Sequence, residues 1–126
     1  MSQLYNLKAG VGLSTDLVAT PVVRPLTTQG TDGAVTIAPE KIVVFTKAGV
    51  LAATLGIPTT AQNGTVITFL AGTANAHTVT AATIGFDAAN GGGDVATVGG
   101  AIGDGFSCIA YGGEWLVLYA KNVTFA

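Results

Sequence analysis

From residue 34 to the C-terminus, short runs of β-branched, aromatic and aliphatic residues recur, each closed by Gly, Pro, Asn or Asp. Such short bounded runs are the signature of β-strands, and helical periodicity is weak throughout. Eighteen Gly and as many Thr also argue against long helices, because Gly costs about 1 kcal/mol per helical position and Thr loses rotamer freedom there. The pattern predicts strands at 34–38, 41–46, 50–55, 65–70, 77–80, 95–98, 106–111 and 114–119. Gly112-Gly113 between the last two suits a tight hairpin turn, which needs two residues able to take positive φ. Lys47-Ala48-Gly49 suits a three-residue hairpin with Gly in the left-handed position. About eight short strands predict an all-β fold, a small sandwich or barrel of jelly-roll type formed by one domain over 34–126.

Residues 1–33 read differently. Their apolar residues are scattered, and Pro21 and Pro25 bracket Val22-Val23-Arg24, which favours an extended backbone and blocks a helix. The segment is expected to be an extended N-terminal arm. It either packs on the same domain as an edge strand or becomes ordered on a partner surface. Leu4, Tyr5, Leu7, Val22 and Val23 are its candidate contact residues.

Several strands are apolar on both faces, whereas a strand with one wet face normally alternates. In 41–46 one face carries Ile42 and Val44 and the other Val43 and Phe45. In 114–119 Trp115, Val117 and Tyr119 alternate with Leu116 and Leu118. One small domain buries only one of these faces in its own core. The second face is either covered by a loop or arm or buried against another chain, and with a charged content of only 10% the pattern implies a homo-oligomer or a lattice component. Trp115, Tyr119 and Phe45 are the candidate interface anchors.

The charge balance narrows the function further. Five Lys and Arg against seven Asp and Glu, a net charge of −2, leave too few cations to neutralise a phosphate backbone, so no nucleic-acid partner is expected. The uncharged stretch from Ala48 to Phe86 is interrupted by Gly49, Gly56, Pro58, Gly64 and Gly72, so no apolar run reaches the length of a spanning helix. No basic start followed by a compact apolar stretch opens the chain, and no membrane association is expected. One cysteine excludes an internal disulfide framework.

Catalytic and metal signals are weak. The single histidine, His77, has no sequence partners at ligand or triad spacing, and Cys108 lies inside an apolar strand without a neighbouring base. Gly91-Gly92-Gly93-Asp94 and Gly103-Asp104-Gly105 resemble fragments of anion- or calcium-binding loops, but they lack the Lys of a phosphate loop and the stacked copies of a calcium repeat. Asp87 and Asp94 are the nearest approach to a cation pair, with turn chemistry as the simpler account. A flat Thr face for ice or sugar is not expected, because Thr54, Thr68 and Thr78 share no period. No catalytic residue, cofactor or metal is expected, and no enzymatic activity.

The segment from Pro58 to Phe69, Ala76-His77-Thr78-Val79-Thr80, the turn at Gly100-Ala101-Ile102-Gly103-Asp104-Gly105, and Gly113-Glu114-Trp115 leading to Asn122-Val123-Thr124 together resemble small virion proteins of tailed bacteriophages. The likeness is strongest to head decoration, or cement, proteins and covers about residues 33–126. It implies a β-rich dimer or trimer on the outer capsid surface, clamping neighbouring subunits of the major capsid protein. Similar segments occur in phage tail-fibre and appendage proteins, which makes a receptor-binding β module the alternative. A rigid β core would present contact area at little ordering cost, and an extended arm could add a strand to a coat-protein sheet edge.

Overall fold

A computed structural model describes residues 25–87 and 93–126. These residues form ten strands: β1 (Leu26–Gln29), β2 (Gly33–Ala34), β3 (Lys41–Phe45), β4 (Ala52–Thr54), β5 (Val66–Ala71), β6 (Thr78–Thr80), β7 (Val95–Val98), β8 (Gly105–Tyr111), β9 (Glu114–Lys121) and β10 (Val123–Phe125). One 3₁₀ turn, Thr60–Gln62, precedes β5. The strands form two mixed five-stranded sheets, ordered β1-β3-β5-β8-β9 and β10-β7-β6-β4-β2. Packed together they make a β-sandwich that is not closed into a barrel. The all-β class is therefore as the sequence predicts.

The connectivity departs from a jelly roll, which is antiparallel. Here β1, β3 and β5 are parallel neighbours in the first sheet, and β2, β4 and β6 are parallel neighbours in the second. From β1 to β6 the chain thus crosses between sheets five times in succession and builds three stacked coils. From the second coil to the third the register advances by 26 residues in both sheets (42 to 68 and 53 to 79). Three antiparallel strands, β7, β8 and β9, then complete the sheets, and β10 pairs with β7.

Two local signals had different outcomes. Gly112 and Gly113 take φ of 62° and 80° and close the β8–β9 hairpin, the two-residue geometry that the sequence implies. Lys47-Ala48-Gly49 is not a hairpin, because β3 and β4 lie in different sheets. A Gly-bearing turn releases the chain direction, but long-range bonds decide whether the next strand pairs with the last or crosses to the facing sheet. At this corner the partners come from neighbouring coils. The Lys47 carbonyl accepts from Thr73 Oγ1 (2.6 Å), the Ala48 carbonyl from Asn75 Nδ2 (3.0 Å), and Asp32 Oδ1 from the Ala52 N–H (3.0 Å).

Alternation inside the strands builds the core. Val43 and Phe45 of β3, Ile67 and Phe69 of β5, Phe106 and Cys108 of β8, and Val79 and Ala96 of the second sheet all point inward and are buried. Phe69 packs against Phe45 and Phe106 with ring centroids 5.8 and 5.0 Å apart, and Phe86 and Phe125 meet Phe106 edge-on. Gly105 permits this approach of β8 to β5, since a Cβ there would overlap the Phe69 carbonyl oxygen.

Residues 26–29, assigned to the arm by sequence, form an edge strand of the first sheet. Residues 1–24, with Leu4, Tyr5, Leu7, Val22 and Val23, lie outside the described residues.

Candidate interaction face

The first sheet has a second apolar face, turned away from the core. Strand register places Leu26, Ile42, Thr68, Ser107 and Tyr119 in one row across all five strands. A second row carries Thr28, Val44, Leu70, Gly105 and Lys121, and a third, shorter row Val66, Ile109 and Leu116. The aliphatic members in the middle of the sheet are half-buried by one another, whereas Leu26, Leu118 and Tyr119 are 61%, 58% and 63% exposed. A groove of about 430 Å³ opens on this face, lined by Glu40, Lys41, Ile42, Val66, Thr68, Ser107, Leu118 and Tyr119. Its floor holds one polar pair, the hydroxyls of Thr68 and Ser107, 2.7 Å apart. These two groups satisfy each other, so the face offers contact area with few unmet polar atoms.

The three residues expected to anchor an interface separate. Phe45 and Trp115 have no exposed surface and belong to the core; the Trp115 indole N–H donates to the Gly56 carbonyl (2.9 Å). A second chain has no access to either. Tyr119 does lie on the outer face, for a reason invisible in simple alternation. A bulge in β9 opposite Ser107/Cys108 shifts the register, so Tyr119 pairs with Ser107 and leaves the face that holds Trp115. Leu118 is the residue the bulge adds. Of the remaining outer-face residues, Leu26, Leu70 and Ile109 escaped the sequence reading because sheet membership, not local pattern, aligns them.

The outer face of the second sheet is chemically opposite. Register brings Ala52, Thr78, Thr97 and Thr124 into one row and Thr54, Thr80 and Val95 into the next. A shared Thr face therefore exists, although Thr54, Thr68 and Thr78 share no period; Thr68 is the exception and belongs to the other sheet. Thr54 and Thr80 follow the 26-residue advance, whereas Thr97 and Thr124 come from antiparallel strands that keep no such spacing.

The residues weighed for chemistry are used structurally. His77 is fully buried at the corner preceding β6. Its Nδ1 accepts from the Leu51 N–H (3.0 Å), so Nε2 carries the ring proton toward Thr73 Oγ1 (2.9 Å), which donates in turn to the Lys47 carbonyl. Cys108 faces the core, and burial, helped by the nearby Asp87 charge, pushes its thiol up to about 12, outside the reactive range. Asp87 Oδ1 accepts from the Val117 N–H (2.8 Å). Asp104, also buried, accepts from the Ala101 N–H and from Asn122 Nδ2, which makes Gly103-Asp104-Gly105 a capped turn. Among the described residues no cluster of three or more His, Cys, Asp or Glu is arranged to hold a metal ion, and no helix is long and apolar enough to cross a membrane.

At the corner between β1 and β2, Asp32 pairs with Lys47 (2.8 Å). The hydrogen bonds from Lys47 and from the Ala52 N–H hold its carboxyl below the usual carboxylate range.

No protein-family model, curated protein or solved structure matches this chain.

Proposed function

We propose that this chain is a structural virion protein, a decoration or cement subunit that binds the outer surface of a phage head and bridges neighbouring subunits of the major capsid protein. The observation carrying this reading is the apolar outer face of the first sheet, a rigid five-stranded platform whose Ile, Val, Leu and Tyr suit the chain to permanent assembly with other subunits, copies of itself included. A preformed β surface binds without the ordering cost of a flexible one. The resemblance of residues 33–126 to decoration proteins supports the same reading. In it the chain acts by contact alone, without catalysis or cofactor, and self-associates on the shell.

Purified chain mixed with capsids lacking it tests the proposal. Saturable binding at a simple ratio to the coat protein, with a raised capsid disruption temperature, is the expected result. Absence of binding at micromolar concentration would overturn it. The alternative, a receptor-binding module of the tail, is favoured by one observation: a groove that combines the Tyr119 ring with two hydroxyls has the composition of a sugar site. Saturable binding to host surface glycans in place of capsids would establish that alternative.

A further inference from the structure

We infer that the outer face of the first sheet is a self-association surface, on which a second copy of this chain packs face to face about a twofold axis. The inference deepens the self-association part of the decoration reading, and its test needs no capsid, so either can fail without the other.

Area is the first argument. Five strands about 4.8 Å apart and about 20 Å long make a face of roughly 400–500 Å² in projection, so a face-to-face pair removes on the order of 1,000 Å² from water, the lower bound of a specific contact. The centre of the face carries no charge: Ile42, Val44, Val66, Leu70, Ile109 and Leu116 surround the Thr68–Ser107 pair. An apolar field of that size is costly to leave in water, and aligned sheets pack across it at about 10 Å.

Charge complementarity selects the occupant. The β9 margin of this face begins with Glu114 and ends with Lys121, both on the outer side by register: Glu114 opposite Tyr111, Lys121 opposite Gly105. Neither makes an ion pair among the described residues. A twofold axis in the plane of the contact, running across the strands, lays β9 antiparallel over β9 of the second copy. Glu114 of each copy then faces Lys121 of the other, because a twofold contact that brings one residue against another also brings the second against the first. Opposite charges at the two ends of one strand are thus matched twice by the chain itself, while between them Tyr119 of each copy meets Leu116 of the other and the exposed Leu118 lies beside the axis.

Sedimentation equilibrium of the full chain, with far-UV circular dichroism on each variant, tests the arrangement. The parent chain should be dimeric at micromolar concentration. Leu118→Lys should weaken the dimer by about a hundredfold, since the substitution enters the contact twice. Lys121→Glu should weaken it by about tenfold, and Glu114→Lys combined with Lys121→Glu should restore it. Leu118 is exposed and Lys121 is at the strand end, so both variants should keep the parent spectrum. A monomeric parent chain would overturn the inference and leave the face to residues 1–24 or to a different protein. A trimer, or a dimer indifferent to Leu118→Lys in a folded variant, would overturn it as well.

Discussion

The two outer faces of the sandwich are built by the same alternation and reach opposite chemistry. In the first sheet the outward positions are filled by Ile42, Val44, Val66, Leu70, Ile109 and Leu116; in the second they are filled by Thr54, Thr78, Thr80, Thr97 and Thr124. Thr keeps the β-branched shape that suits a pleated surface and adds a hydroxyl that water can satisfy. Ile and Val keep the shape without the hydroxyl. Strand formation is served equally by both, so the difference is not about folding. One face tolerates water, and the other gains by leaving it. In the proposed dimer the threonines face water and the aliphatics face the second copy.

The largest effect expected is on the layer between these faces. Trp115→Ala should destabilise the fold by about 3–5 kcal/mol, through lost burial and the orphaned Gly56 carbonyl, and be read as a lowered urea midpoint. Dissociation without unfolding would instead put Trp115 at a subunit contact. Cys108, on the inner side of the same sheet, should resist thiol reagents in the folded chain and react only as fast as the protein opens globally. Rapid labelling at neutral pH would show that the layer is loosely packed.

Smaller effects separate the two faces themselves. Leu118→Ser with Tyr119→Ser should change the intrinsic stability of the monomer by no more than about 0.5 kcal/mol, yet remove the dependence of the urea midpoint on chain concentration. Thr54→Ser with Thr124→Ser on the opposite face should leave that dependence intact. Equal behaviour of the two pairs would erase the distinction drawn between the sheets.

The smallest effect belongs to the corner that links them. Folding lowers the Asp32 pKa, so its contribution is present above the ordinary carboxylate value and is lost as pH falls through the folded value. Asp32→Asn should therefore lower the melting temperature slightly at neutral pH. The gap between variant and parent should close in strong acid. A gap that persists there would assign the loss to the Ala52 N–H contact alone and not to the carboxylate charge.

Much of the fold was legible from local pattern. Strand β7 at Val95–Val98 coincides with its expected limits, and the expected positions of β3, β5, β8 and β9 are off by only a residue or two. The doubly apolar character of 41–46 and 114–119 correctly marked the first sheet as having an apolar outer face. Strand β1 was hidden because Leu26-Thr27-Thr28-Gln29 is short and mostly polar, and becomes a strand only beside β3. β10 was hidden for a similar reason, since Val123-Thr124-Phe125 follows β9 after one residue and pairs with β7 in the other sheet. Alternation alone puts Tyr119 on the face of Trp115; the bulge, which has no signature in alternation, separates the two and leaves Tyr119 outside.

Local chemistry thus dictates the class: Gly, Thr and Pro suppress helices, and two-residue periodicity writes strands whose inner faces must be buried. It also dictates that apolar residues outnumber the places one core can hold. Sheet membership is another matter. It depends on which carbonyls meet which N–H groups across tens of residues, as when Thr73 and Asn75 satisfy the corner at Lys47 and Ala48. A turn sequence limits the backbone angles of a few residues, whereas the partner across the turn is chosen by the free energy of the whole packed layer. For that reason the parallel coils, the bulge beneath Tyr119 and the gathering of unevenly spaced threonines onto one face became visible only once the two sheets were assembled.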